Sequence, residues 1–194
     1  MFKDRADQFQ ERLGWDVTVD AEGHERDQYD ALNPLYVIWQ HRDGRHGGSM
    51  RFLPTTGRTM TAEHFSHLTD GVTVQSPVIW ECTRFCLARD ATPQVSAALM
   101  AAGGEILQRF ALTHFLGVFD ARMIRVYRVI GASPDILGMD GTGREAIGVG
   151  LWQFTPEARL RVLRRAGLSG EISEYWFNRA FGRQAPAMSQ SKAA

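Results

Sequence analysis

Two periods of apolar and polar alternation run along this chain, and the switches between them mark out its elements. From Phe2 to Leu13 the apolar positions Phe2, Ala6, Phe9 and Leu13 form one stripe at helical spacing, and Gly14 stands where such a helix would stop. WDVTV reads as a short strand, and the acidic, turn-rich stretch from Asp20 to Pro34 as a loop with polar side chains available for a site. LYVIWQ and GGSMRFLPT are strand-like and are joined by RDGRHGG, a hairpin with a long, glycine-containing loop. TAEHFSHL offers a short capped helix. In the strand-like run PVIWECTRFCLA, regular alternation puts Glu81, Thr83 and Phe85 on one side and Cys82, Arg84 and Cys86 on the other. Thr92-Pro93 opens a helix over Val95–Leu112, weakened in its middle by Gly103-Gly104. FLGVFD then predicts a strand, and ARMIRVYRVIG a helix with Met123, Val126, Tyr127 and Ile130 on one face. IGVGLWQFT predicts a strand, PEARLRVLRRAGL a helix opening at Pro156, and EISEYWFNRAF a last amphipathic helix. The β-α-β-α order predicts an α/β (α+β) fold, a sheet with helices packed on its faces. One domain is expected over residues 1–183, followed by a small, polar tail, 184–194, expected to be disordered.

Composition narrows the functional classes. At 194 residues, 44% hydrophobic and 23% charged, the chain is long and apolar enough for one autonomous core. No apolar run approaches the roughly 18 residues of a membrane span, and MFKDRADQF has no apolar signal core, so cytoplasmic residence is expected. Lys plus Arg equals Asp plus Glu at 22 each, so no global field favours nucleic acid or an anionic membrane. Cys82 and Cys86 are expected to be buried thiols projecting from the same side of a strand. The six histidines, at 24, 41, 46, 64, 67 and 114, have no zincin or finger spacing, and GTGREAIG lacks the dinucleotide-binding pattern. Neither a metal nor a nicotinamide is expected.

Three constellations carry candidate chemistry. Arg5 and Phe9 share a helix face and Trp15 follows the helix end, so a guanidinium and two aromatics are available to hold a carboxylate and pack a flat ring or a sulfonium. Taken alone, they read more readily as a core Phe and Trp beside a surface Arg, the usual burial habits of the three types. The stretch ERDQYD places Asp27 and Asp30 in a loop, either simply solvated or paired with arginines or an ammonium. The third is Glu81 and Arg84 with Arg51 of SMRFLPTTG. A glutamate in a partly apolar site suits a general base near neutral pH, but its joint use with Arg84 needs a bulge that re-aims one of them. A structural ion network among Asp30, Arg51 and Arg84 is the alternative.

Together RADQFQERLGWDV, ERDQYDALNP, MRFLPTTG and WECTRF stand in the order and at about the spacing of the acyl-homoserine-lactone synthase, or autoinducer synthase, family, which this sequence resembles over roughly its first 90 residues by motif. The resemblance implies a GNAT-like acyltransferase fold, a twisted mixed sheet flanked by helices. It implies two substrates, S-adenosylmethionine and a fatty acyl thioester, usually on acyl carrier protein and less often on CoA. It implies no cofactor, with products acyl-homoserine lactone, methylthioadenosine and the free thiol carrier. In residues, it implies Arg5, Phe9 and Trp15 folding over S-adenosylmethionine, Glu81 as base directly or through a water, and Asp27, Asp30, Arg51 and Arg84 locking the surrounding loops. Met100, Leu116, Gly117, Val118 and Trp152 would shape the acyl pocket, with Gly117 favouring an unsubstituted chain. The basic edge Arg122, Arg125, Arg128 would dock the carrier, unless it is simply a solvated face. The competing functions are a GNAT-like N-acyltransferase on another amine and a catalytically degenerate ligand-binding relative.

Overall fold

The structure is a computed structural model and describes residues 1–182; the expected tail, 184–194, lies outside the described residues. One six-stranded mixed sheet organises it, in the order β1-β2-β3-β4-β6-β5. The strands are β1 (Leu35–Gln40), β2 (His46–Pro54), β3 (Ile79–Leu87), β4 (His114–Asp120), β5 (Asp135–Asp140) and β6 (Ile147–Trp152). All neighbours are antiparallel except β3 and β4.

The opening helix α1 (Phe2–Ala6) runs directly into a π-helical turn over Asp7–Arg12, so the stripe seen in the sequence is real but widens there. Gly14 ends it with φ +66°, the left-handed conformation a glycine supplies freely. No strand forms over 15–19: Val19 makes only an isolated bridge with Glu25. Conversely β5 is a strand that alternation did not signal, because a register shift between Ile136 and Gly138 breaks the period of two, and the strand lies at the sheet edge with Ile136, Leu137 and Met139 exposed.

One face of the sheet is covered by α3 (Pro93–Arg109). Its Val95, Leu99, Ile106 and Leu107 pack on Met50, Phe52 and Phe115, while its alanines 97, 98 and 101 meet Ile130, Val162 and Leu163. These come from α4 (Arg122–Ile130) and α5 (Pro156–Ala166); α6 (Gly170–Phe181) follows. Of the two glycines that weaken α3 in isolation, Gly104 is required by packing, since a Cβ there would lie 2.0 Å from the Phe154 ring, whereas one on Gly103 would meet only the flexible end of Met50 at 3.2 Å. The opposite face carries α1, the loop after it, and the short α2 (Met60–His64).

Two irregularities in β3 position everything that follows. β3 and β4 pair only from Ile79 with His114 to Glu81 with Leu116, after which they diverge and open a cleft between adjacent strands. At the mouth of that cleft Arg84 adopts φ +52°, a left-handed conformation that costs a non-glycine residue about 1–2 kcal/mol, and the β2 pairing shifts register across it. The bulge overturns the regular alternation expected for this strand. Cys82 and Phe85 both pack on the α3 core, whereas Cys86 faces the Asp4 and Arg5 side, so the two thiols do not share a side. Both are free, and burial raises each thiol to about 12.

Candidate active site

The bulge brings Arg84 to the face that already holds Arg51 of β2 and Arg5 of α1, and the three guanidiniums meet three carboxylates from one loop. Arg5 donates through Nε to Glu25 at 2.5 Å and through both Nη atoms to Asp30 at 2.9 Å. Arg51 donates to Asp27 at 2.5 and 2.9 Å, to Asp30 at 2.8 Å and to the Thr83 hydroxyl at 2.9 Å. Arg84 donates to Glu25 at 3.0 and 3.2 Å and approaches Asp27 at 2.8 Å. Charge is therefore balanced within the cluster, the condition for burying it. The loop is closed on itself by Asx contacts: Asp27 accepts from the Tyr29 and Asp30 amides and its own amide donates to Asp30. Burial opposes ionisation of Asp30, but hydrogen bonds from Arg5 and Tyr36 outweigh it and hold the carboxyl below the usual range. Glu25, fully buried, is the member sequence reasoning missed. Its only signal was its place at the head of ERDQYD, two residues before Asp27.

Between the splayed strands runs a cavity of about 920 Å³ that reaches both faces of the sheet. On the charged face its wall includes Phe9, Trp15, Glu25, Asp27, Arg84 and His64. Trp15 stacks on Phe9 with ring centroids 5.2 Å apart and planes 4° from parallel, and the Arg84 guanidinium sits 5.4 Å from the Phe9 ring. Trp15 remains 39% exposed, leaving a flat aromatic face at the entrance. On the α3 face the wall is apolar: Met100, Leu107, Phe115, Phe119, Trp152 and Phe154 are among its members.

The expected site residues therefore divide. Phe9, Trp15, Asp27, Arg84, Met100, Gly117, Val118 and Trp152 line the cavity. Arg5 does not: it is wholly buried and all its donor groups are committed to Glu25 and Asp30, so it supports the wall rather than folding over a ligand. Asp30 and Arg51 stand behind the wall in the same way. Leu116 belongs to the opposite core with Leu68 and Val149, because alternation in β4 turns it away from Gly117.

Glu81 is placed differently from the expectation of a base on the wall. It is buried beside the last β3–β4 pair, and its oxygens accept from the Met60 amide at 3.0 Å and from the amide and hydroxyl of Thr61, both at 2.6 Å. Glu81 thus anchors the start of α2, whose Met60 and His64 reach the cavity. On α4, Arg122 pairs with Asp120 at 3.1 Å, whereas Arg125 and Arg128 are exposed and make no salt bridge among the described residues. Arg161, Arg164 and Arg165 of α5 are exposed as well, and Arg161 donates to Gly131 at the end of α4, so the basic surface spans two helices. Among the described residues no helix is long and apolar enough to cross a membrane, and the one group of possible metal ligands, Asp20, Glu22 and His24, lies away from the cavity wall.

A mixed sheet split between two parallel central strands, with a bulged strand at the split and a cavity through it, defines a GNAT-like acyltransferase. The comparisons agree on the family. The autoinducer synthase model matches residues 1–147, and the chain belongs to that family. It is 39% identical over 171 residues to an acyl-homoserine-lactone synthase of Rhizobium etli, covering 84% of this chain and 80% of that one. Its fold is similar to the CoA-dependent acyl-homoserine lactone synthase MesI, with TM-score 0.76, 26% identity and 87% of each chain covered. It is also similar to TofI in a ternary complex with an inhibitor and MTA, with TM-score 0.72, 27% identity, and 88% of this chain and 89% of that one covered.

Proposed function

We propose that this enzyme is an acyl-homoserine-lactone synthase that transfers a fatty acyl group from a thioester to the amine of S-adenosylmethionine and closes the methionine part into a lactone, making a quorum-sensing signal. The observation that carries this reading is the single cavity joining an apolar half to a charged, aromatic half through the split between β3 and β4. An acyl chain fits the first half. The stacked Phe9 and Trp15 beside Glu25, Asp27 and Arg84 suit a molecule with a flat adenine, a sulfonium and both amino and carboxylate groups.

The chemistry asks little of a base. An α-amine titrates at roughly 7.7–8.0, so an appreciable fraction is already the free nucleophile near neutral pH. The amine attacks the thioester carbonyl and the thiol carrier leaves. The substrate's own carboxylate oxygen then attacks the γ-carbon of the methionine part, breaking that carbon's bond to the sulfonium sulfur and releasing methylthioadenosine, a ring closure that positioning in an enclosed site favours. Glu81 enters as a positioning residue for α2. The acyl donor is carrier protein or CoA. The exposed arginines of α4 and α5 favour an acidic carrier protein, whereas the likeness to MesI keeps CoA in play.

Purified enzyme incubated with S-adenosylmethionine and an acyl thioester, on carrier protein in one arm and CoA in the other, should yield acyl-homoserine lactone and methylthioadenosine in equal amounts. Release of thiol without methylthioadenosine, or acylation of a different amine only, would replace this reading by an N-acyltransferase of another kind.

A further inference from the structure

Past the split, β3 is bonded by a side chain that does the work of a neighbouring strand. Pairing with β4 ends at Glu81, and β3 runs on to Leu87. There Gln8, in the π-helical turn, donates from Nε2 to the Phe85 carbonyl at 2.9 Å and accepts through Oε1 from the Leu87 amide at 2.7 Å. Four residues on, Arg12 donates to the Leu87 carbonyl at 3.2 Å. A primary amide presents a donor and an acceptor side by side, as a peptide group does, so Gln8 can bond alternate residues of a strand. Main-chain groups at a cavity wall need such partners once their own strand partner has left.

What Gln8 holds in place is the turn that carries the aromatic pair. Its neighbour Phe9 is buried, the Trp15 amide donates to the Phe9 carbonyl at 2.8 Å, and the two rings stack. The Leu13 amide donates to the Gln8 carbonyl at 3.0 Å, so the stretch from Gln8 to Trp15 is closed on itself. Gln8, Phe9, Arg12 and Trp15 all line the cavity. Ion pairs from Arg89 to Asp7 and Glu11 reach the same turn, but they lie at the surface, where such pairs contribute little. We propose that Gln8 is a positioning residue: by bonding this turn to β3 it seats Phe9 and Trp15 and sets the affinity for S-adenosylmethionine, which rests on the reading of that pair as the S-adenosylmethionine seat. When the turn leaves its seat the ligand loses its stacking face, and the apparent dissociation constant rises as the seated fraction falls.

The test measures S-adenosylmethionine affinity by calorimetric titration, and KM for both substrates, in the native chain, Gln8→Leu and Gln8→Glu. Gln8→Leu loses both strand bonds and should raise the Kd and KM for S-adenosylmethionine about tenfold, leaving kcat and the acyl-thioester KM within about twofold. Gln8→Glu should be as weak at about pH 8 and approach native affinity at about pH 5, because a carboxyl set against a carbonyl has its pKa raised and, once protonated, donates again. In the native chain, saturating S-adenosylmethionine should slow hydrogen exchange at the Leu87 amide. Equal rises in both KM values, a loss of Tm with S-adenosylmethionine KM unchanged, or a defect in Gln8→Glu that ignores pH overturns the role of Gln8 while the aromatic seat stands. An unchanged Leu87 exchange rate does the same, whether or not the variants fold. Folded native enzyme that binds no S-adenosylmethionine overturns the reading of the seat, and this one with it.

Discussion

Replacing Glu25 by Gln should destabilise this protein far more than an isosteric change to one side chain ordinarily does. Glu25 is fully buried and receives three charge-assisted bonds, from Arg5 Nε at 2.5 Å and from Arg84 Nε and Nη2 at 3.2 and 3.0 Å. Gln keeps the shape but not the charge. Its oxygen can serve one arginine, and its amide group then presents N–H to the N–H of the other. What remains is a buried cluster with one uncompensated positive charge, and breaking a buried pair from one side costs about 3–5 kcal/mol. With one acceptor retained, we expect about 3 kcal/mol from urea unfolding, or a fall of about 6–12 °C in Tm for a domain of this size. Adding Arg84→Met restores the charge balance, so the double variant should lie at least about 1.5 kcal/mol above the sum of the single losses. A loss below about 1 kcal/mol for Glu25→Gln, or simple additivity with Arg84→Met, would refute the picture of a neutralised, mutually dependent cluster.

Other expectations follow from the same geometry. Trp15→Ala should weaken S-adenosylmethionine binding about tenfold by calorimetric titration, with acyl-thioester KM unchanged, since Trp15 supplies the exposed aromatic face at the entrance. Glu81→Gln should lower kcat/KM but leave the acid limb of its pH profile unmoved; a shifted limb would return Glu81 to the role of base. Reversing Arg125 and Arg128 to Glu should cut turnover with an acidic carrier protein at least tenfold and remove its salt dependence, and should leave turnover with acyl-CoA within about threefold. Asp30 has a depressed pKa in the folded state, so the stability it contributes is complete above its ordinary value of 3.8 and is lost as pH falls below that; urea midpoints followed from neutral pH downward should fall in that acid window, and Asp30→Asn should flatten the fall.

Much of the architecture was legible because period and punctuation agreed: the hairpin of β1 and β2, the Thr-Pro starts of α3 and α5, and the strand β4 all carry local signals that the fold uses. The misses have local physical causes. Trp15–Val19 has strand-like composition but no neighbour to pair with, and β5 is masked by its shifted register. The face assignment of β3 failed at Arg84, where tertiary ion pairing holds a conformation that alternation cannot foresee. The same bulge makes the site, so the strand was least regular where it matters most. Individual roles were harder than membership. The sequence grouped Arg5, Phe9 and Trp15, but only their placement around the cavity separates the arginine that braces the wall from the aromatics that form it.

The most direct test of the central claim is mass spectrometry of organic extracts from a host expressing this chain, scanned for the homoserine-lactone fragment ion. The account predicts an acyl-homoserine lactone in the extract; an extract without any acyl-homoserine lactone, from cells holding soluble, folded protein, would contradict it.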